Sequence, residues 1–245
     1  MKNFLLTIAY IGTRYHGYQV QKNLITVAGT FQDALEDLLG VRADITGCSR
    51  TDSGVHANGY CLNFRTDMKI SPQSLIMALN VRLPEDISVV DCREVPIDFH
   101  ARYSCVRKEY LYLFLNSHFP NPFYHNRAMF FPHPMDEKLL DRAAKEFTGT
   151  HDFKAFCASG CTLKNTTRTI FESGVTRQGD LVTFRICGDG FLYNMVRIIA
   201  GTLIEVSKGR FTPENVKEMI LSRDRTKTGM TAPPHGLYLN RVFYE

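Results

Sequence analysis

The stretch Lys108–Asn116 reads KEYLYLFLN, and its alternation decides the fold class. Successive side chains of an extended chain point to opposite faces. Tyr110, Tyr112 and Phe114 therefore fall on one side of a strand, and Leu111, Leu113 and Leu115 on the other. A strand apolar on both sides is expected to be covered on both, so its neighbours must include helices. Downstream, DEKLLDRAAKEFTG places Leu139, Leu140, Ala143, Ala144 and Phe147 at helical spacing, with Gly149 as the expected stop. TIFESGVTR and LVTFRIC form a hairpin turning at Gln178-Gly179-Asp180. NMVRIIAGTLIEVSKG and TPENVKEMILS follow as helices, the second opened by Thr212 and Pro213, and GLYLNRVFYE closes as a strand.

The first half has the same grammar. NFLLTIAY, YCLNFRT and ISVVDCREV read as strands. TVAGTFQDALEDLLG carries Phe31, Ala34, Leu35, Leu38 and Leu39 on one helical face and ends at Gly40, and SPQSLIMALN starts with Ser71 as N-cap and Pro72 as first helical residue. The expected architecture is α+β, in two domains spanning 1–105 and 106–245, with helices covering one side of each sheet. A cleft between two such halves is the default place to look for a site.

Bulk properties narrow the function. The 245 residues suffice for a real core, and 44% hydrophobic with 22% charged residues excludes a disordered chain. No apolar run approaches the roughly 18–20 residues of a membrane span. MKNFLLTIAYIG lacks a small-residue cleavage site, so a cytoplasmic rather than secreted protein is expected. Seven cysteines, an odd number scattered along the chain, argue for reduced thiols. Cys157 and Cys161 form the one close pair, too little for a zinc site. A net charge of +4 suits a polyanion partner without demanding one. Basic residues recur in loop-like stretches (Arg14; Lys164 and Arg168; Lys208 and Arg210), with Tyr15, Tyr18, Phe153 and Phe156 interleaved. Such a pattern fits either solvated loops or contacts to nucleic acid.

Two features stand out from that background. RTDSGVHA (Arg50–Ala57) sets an aspartate between Thr51 and Ser53 in a glycine-bent loop. Asp, Ser and Gly are also ordinary turn formers. Arg197 sits in a helix that is otherwise almost entirely apolar or small through Ile204. A buried guanidinium needs an anion, while a snorkelling one does not. Asp52 is a candidate partner.

Taken in order, AYIGTRYHGYQ, SRTDSGVHANG, LNVRLPEDISV, FHARYSCVRKEYLY, GTHDFKAF, GFLYNMVRIIAGTLIEV and TAPPHGLYL resemble the tRNA pseudouridine synthase A (TruA) family over essentially the whole chain. The family's central block resembles GRTDAGVHA, so Ser49 and Ser53 are small departures. Ile11 and Tyr18 stand where the family's first block usually has Asp and Trp. The resemblance implies a pseudouridine synthase fold of two α+β domains with a mostly antiparallel sheet, the active-site cleft between them. It also implies a homodimer acting on tRNA, at uridines 38, 39 and 40 of the anticodon arm, with no cofactor and no metal. By the same resemblance Asp52 is the nucleophile, Arg50 helps displace the target nucleotide, Tyr110 stacks on the flipped uracil, Arg197 pairs with Asp52, and Leu237 lines the base pocket.

The chemistry is consistent with those residue types. Pseudouridylation is redox-neutral and takes up no water, so the absence of GxGxxG and P-loop patterns fits. A flipped base costs a few kcal/mol, and aromatic stacking returns roughly 1–3. His56, four residues after Asp52, is expected to hydrogen-bond locally rather than serve as acid or base. A zinc deaminase needs H-x-E and C-x-x-C, and this chain has neither around His56 nor elsewhere. A Ser53 or Cys48 hydrolase would need a distant triad or a nucleophile elbow. Two alternatives remain, a pseudouridine synthase paralogue acting on another RNA position and a non-catalytic RNA-binding protein of the same fold, and Asp52→Ala separates the second from an enzyme.

Overall fold

The structure is a computed structural model that describes residues 1–158 and 165–244. It divides into two compact units, Met1–Val106 with Tyr238–Glu245, and Arg107–Leu237.

In the first unit, β1 (Lys2–Tyr10) is flanked by β3 (His56–Thr66) and β4 (Ile87–Val95), both antiparallel to it. A short β2 (Ile45–Gly47) adds antiparallel to β3, and the last strand, β10 (Leu237–Phe243), meets β3 in parallel at Tyr238↔His56 and Leu239↔Ala57. Phe4↔Phe64, Leu6↔Leu62 and Ile8↔Tyr60 share one face of the sheet and are fully or almost fully buried. Helix α1 (Val27–Leu39) packs on α2 (Pro72–Asn80), which packs on β4. Helix α2 starts as the sequence predicts, with Ser71 Oγ accepting from Ser74 N at 3.1 Å, and α1 starts in the same way, the Thr26 hydroxyl accepting from Gly29 N at 3.2 Å. Gly40 ends α1 at φ 73°, a left-handed position that glycine fills at no steric cost.

The second unit is an antiparallel sheet ordered β5 (Arg107–Leu115), β9 (Leu181–Gly188), β8 (Thr167–Gln178), β7 (Gly149–Asp152), with β6 (Met129–Phe130) parallel to β5. Helix α3 (Glu137–Lys145) covers β8 and contacts α4 (Met195–Ser207) and α5 (Pro213–Ser222). Tyr110↔Ile186, Tyr112↔Phe184 and Phe114↔Val182 form the buried face. The other face departs from expectation, since Leu111 and Leu113 are only half-buried and Leu111 lies opposite the exposed Arg185. That face of β5 is a mixed one rather than a second core.

Two further expectations shift. Helix α3 ends at Lys145, four residues before the expected stop, and Gly149, at φ 111°, opens β7 instead. The loop around Asp52 is shorter than its polar composition predicts, because β3 already begins at His56. Where α4 meets the chain at 229–230, backbone touches backbone: a Cβ on Gly201 would lie 1.8 Å from Met230 O, and one on Gly229 2.5 Å from Gly201 C. Among the described residues no helix is long and apolar enough to cross a membrane.

Candidate active site

In the first unit Asp52 is half-buried and Arg50 exposed, both on the segment between Cys48 and β3. A second segment, residues 11–18, clamps that loop. Val55 N donates to Asp52 O at 3.2 Å, closing a turn through Gly54 at φ 78°. Tyr15 O accepts from Gly54 N at 3.3 Å and from Ser53 Oγ at 3.2 Å, while Tyr18 N donates to Thr51 O at 3.1 Å. The Thr51 hydroxyl bonds Tyr10 Oη at 2.8 Å. The residues on either side of Asp52 are thus pinned through main chain and side chain, which fixes the backbone that carries the carboxylate.

Glycines at 12 and 17 permit this contact. A Cβ on Gly12 would lie 1.9 Å from Val55 O, and one on Gly17, at φ 85°, 2.7 Å from Thr51 O. Gly12 N donates to His56 Nδ1 at 2.9 Å, so the neutral ring carries its proton on Nε2. His56 is fully buried and lies 4.7 Å from the Tyr238 ring. The expected bond within its own loop gives way to one from the clamping segment, 44 residues away in sequence, because the loop packs against residues 11–18. The clamp is itself anchored at Asp86, whose carboxylate accepts from Tyr15 Oη at 2.7 Å and Arg14 Nε at 2.8 Å, and whose carbonyl accepts from Ile11 N at 2.9 Å. Burial, then the bond to Asp86, pushes the Tyr15 hydroxyl up to about 12.

Tyr18 stacks on Tyr60 with centroids 4.2 Å apart, and its buried hydroxyl forms no hydrogen bond that meets normal geometry. Tyr60 Oη instead donates to Ser49 O at 2.5 Å, tying β3 to the start of the loop.

The second unit holds Tyr110, Arg197 and Leu237. Tyr110 is buried on β5 with its ring edge-on to Phe191 at 5.1 Å. Arg197, in the first turn of α4, is half-buried; its Nε donates to Ala232 O at 2.7 Å and Nη1 to Asn194 Oδ1 at 2.8 Å. Ala232 N returns a bond to Arg197 O at 3.0 Å. The segment leaving Ala232 is then fastened to β5: Tyr112 Oη donates to Pro233 O at 2.8 Å, and a Cβ on Gly236 would lie 2.6 Å from Tyr112 Cζ. Leu237, buried, follows directly. The structure therefore gathers Arg197, Leu237 and the aromatic face of β5 around residues 232–237. Burial, then His125 and Arg197, hold the nearby His235 below the usual histidine range, so this cluster favours a neutral imidazole near pH 7.

The basic stretches resolve mainly as structural. Lys208 and Arg210 pair with Glu205 at 3.0 and 2.7 Å, Arg14 pairs with Asp86, and Arg168 Nη1 donates to Asn165 O and Thr167 O. Tyr15, Tyr18, Phe153 and Phe156 are core residues rather than exposed stacking platforms. Lys164 and Cys161 lie outside the described residues, and among the described ones no group of three His, Cys, Asp or Glu is placed to hold a metal. Sequence reading passed over Arg102, inside the FHARYS stretch; an arginine in a short polar run carries no periodic signal.

A family model described as tRNA pseudouridine synthase matches residues 6–104 and 143–245, taking in Arg50, Asp52, Arg197 and Leu237. Proteins named tRNA pseudouridine synthase A are 47% identical over 244 residues in Acetivibrio thermocellus and 43% in Clostridium acetobutylicum, each over the full length of both chains. One from Exiguobacterium sibiricum is 44% identical over 248 residues, all of this chain and 97% of its own. One chain of a Cbf5–Nop10–Gar1 complex overlaps 96% of this chain and 57% of its own at 12% identity, with a TM-score of 0.37, too slight to bear on the fold. A family match over most of the chain and full-length identity well above 40% leave one assignment: this chain belongs to the tRNA pseudouridine synthase family.

Proposed function

We propose that the chain isomerises uridine to pseudouridine in tRNA, at positions 38, 39 and 40 of the anticodon arm, with Asp52 as nucleophile. The observation that carries the reading is the Asp52 loop, pinned on both sides by residues 11–18, in a chain that matches its family end to end. The reaction breaks the C1′–N1 bond, turns the uracil and forms C1′–C5; the C5 proton leaves and N1 gains one. No electron or water is exchanged, so the work is positioning. Preorganised geometry of this kind carries a large share of many enzymatic rate enhancements.

Each remaining residue has a role suited to its type. Arg50, exposed beside the loop, displaces the target nucleotide from its stack. Tyr110 offers a ring to the extruded base, worth roughly 1–3 kcal/mol. Leu237 lines the base pocket, and Arg197 supplies the positive charge that the desolvated carboxylate needs. The chain acts as a homodimer in the cytoplasm, on the strength of its family membership.

The test is pseudouridine mapping on unmodified tRNA with wild type and with Asp52→Ala. Signal at positions 38–40 from wild type alone is the expected result. Signal elsewhere discards the positions, and equal signal from Asp52→Ala discards the nucleophile.

A further inference from the structure

Arg50 lines a cavity of about 370 Å³ on the first unit, within the ~300–1,000 Å³ range of small-ligand sites. Arg102, Arg42, Gln19, Tyr18 and Asp44 share its wall. The three arginines differ in one respect. Arg42 Nη1 is already held by Asp33 at 2.9 Å and Glu36 at 2.7 Å. The guanidiniums of Arg50 and Arg102 are exposed and have no side-chain or carboxylate partner among the described residues. Two cations with no ion pair among the described residues thus line one cavity next to the Asp52 loop, whose wall also carries the Asp44 carboxylate.

The turn that presents Arg102 is built with unusual care. Arg102 N and Tyr103 N both donate to His100 Nδ1, at 3.2 and 3.3 Å, and the His100 ring stacks on Tyr103 at 4.2 Å. His100 N donates to Ser104 Oγ at 3.3 Å and Ser104 N to His100 O at 2.9 Å. From below, Ala101 N donates to Asn63 Oδ1 at 2.8 Å and Tyr244 Oη to Ala101 O at 2.9 Å. Asn3 Nδ2 donates to Phe99 O and Asn63 Nδ2 to Asn3 Oδ1, each at 3.0 Å. Asn3 and Asn63 are 1% and 5% exposed, on strands β1 and β3. Buried amides are costly unless fully paired, and here both are spent on fixing a surface turn. A solvated arginine with no task needs no such support.

Resting on the RNA substrate proposed above, we infer that Arg102 is a substrate-positioning residue that grips a backbone phosphate of the RNA in this cavity, beside the Arg50 that acts on the target nucleotide. A planar guanidinium fork matches phosphate oxygens in two parallel hydrogen bonds. Arg102 acts on docking, so its removal raises KM and leaves the chemical step alone.

The experiment measures pseudouridine formation on unmodified tRNA, and separately tRNA binding at several salt concentrations, for wild type, Arg102→Gln, Arg102→Lys and Arg210→Gln. Arg102→Gln is expected to raise KM about tenfold with kcat within about twofold, and to flatten the log–log salt slope by ~0.7–0.9, the value of one phosphate contact. Arg102→Lys restores the slope and recovers only part of the affinity. Arg210→Gln, at an arginine that also has a carboxylate partner but lies outside the cavity wall, stays within about twofold of wild type. An unchanged slope and KM in Arg102→Gln overturns the inference. So does a loss confined to kcat, or an equal loss in Arg210→Gln, which would make general charge the cause. If wild type forms no pseudouridine, the proposed reaction fails, and the binding slopes still decide the role of Arg102.

Discussion

Gly12→Ala should cost both stability and rate, for one geometric reason. The Cβ would lie 1.9 Å from Val55 O and 2.7 Å from Val55 C. Ordinary van der Waals contact requires an opening of more than ~1 Å. The obstacle is backbone, so no side-chain rotation relieves it. Residues 11–18 must retreat from the turn that carries Asp52, and the Gly12 N to His56 Nδ1 bond of 2.9 Å lengthens with them. Overpacking costs about 1–3 kcal/mol, and weakening the bond to a fully buried His56 adds up to about 1. A displacement near 1 Å at a reacting group costs about 100-fold in rate. Urea unfolding reads the first quantity, and single-turnover pseudouridine formation at saturating enzyme reads the second. Gly40→Ala is the control: φ is 73° and nothing lies within 4 Å of the added Cβ. It should lose about 1 kcal/mol through backbone strain alone and keep its rate. A Gly12→Ala rate within twofold of wild type, or an equal rate loss in Gly40→Ala, refutes the clamp.

Tyr18→Phe removes a buried hydroxyl that makes no well-formed hydrogen bond, so thermal stability should hold or rise by up to about 1 kcal/mol; a clear drop in Tm shows that the hydroxyl has a partner. Burial pulls the Glu205 carboxyl up, but Lys208 and Arg210 outweigh it and set the group below its ordinary range. The stability it contributes is therefore complete above the unfolded glutamate pKa near 4.3 and lost as pH falls through the lower folded value. Unfolding of Glu205→Gln followed from pH 7 to pH 3 should show a deficit against wild type that closes toward the acid end. A deficit constant across that range removes the ion pair as its cause.

Two helix starts were local and legible: Ser71 and Thr212 open α2 and α5 through bonds spanning three residues, Ser74 N to Ser71 Oγ and Thr212 N to Asn215 Oδ1. The hairpin at Gly179-Asp180 and the buried aromatic side of β5 followed from period-two alternation. Gly149 misled because glycine marks any left-handed φ, and here that position opens a strand rather than ending a helix. Leu111 and Leu113 misled because hydrophobicity reports what could be buried, while the neighbouring strand and its Arg185 decide what is.

For the site, residue identities were readable and their supports were not. The acid, the aromatic and the arginines can be named from the chain alone, since their chemistry is a property of residue type. What fixes them comes from 30 to 60 positions away in sequence: Tyr10 on Thr51, Tyr15 on Ser53, Gly12 on His56, Asn63 on Ala101. Likewise the charges of Lys208 and Arg210 read as open until Glu205 was seen to take both, and Arg102 read as ordinary until its turn was seen to rest on two buried asparagines. Local propensity and periodicity act over a few residues and so are written in the sequence. Which charge is cancelled and which is left to meet a substrate depends on long-range packing, and tertiary structure alone decided it.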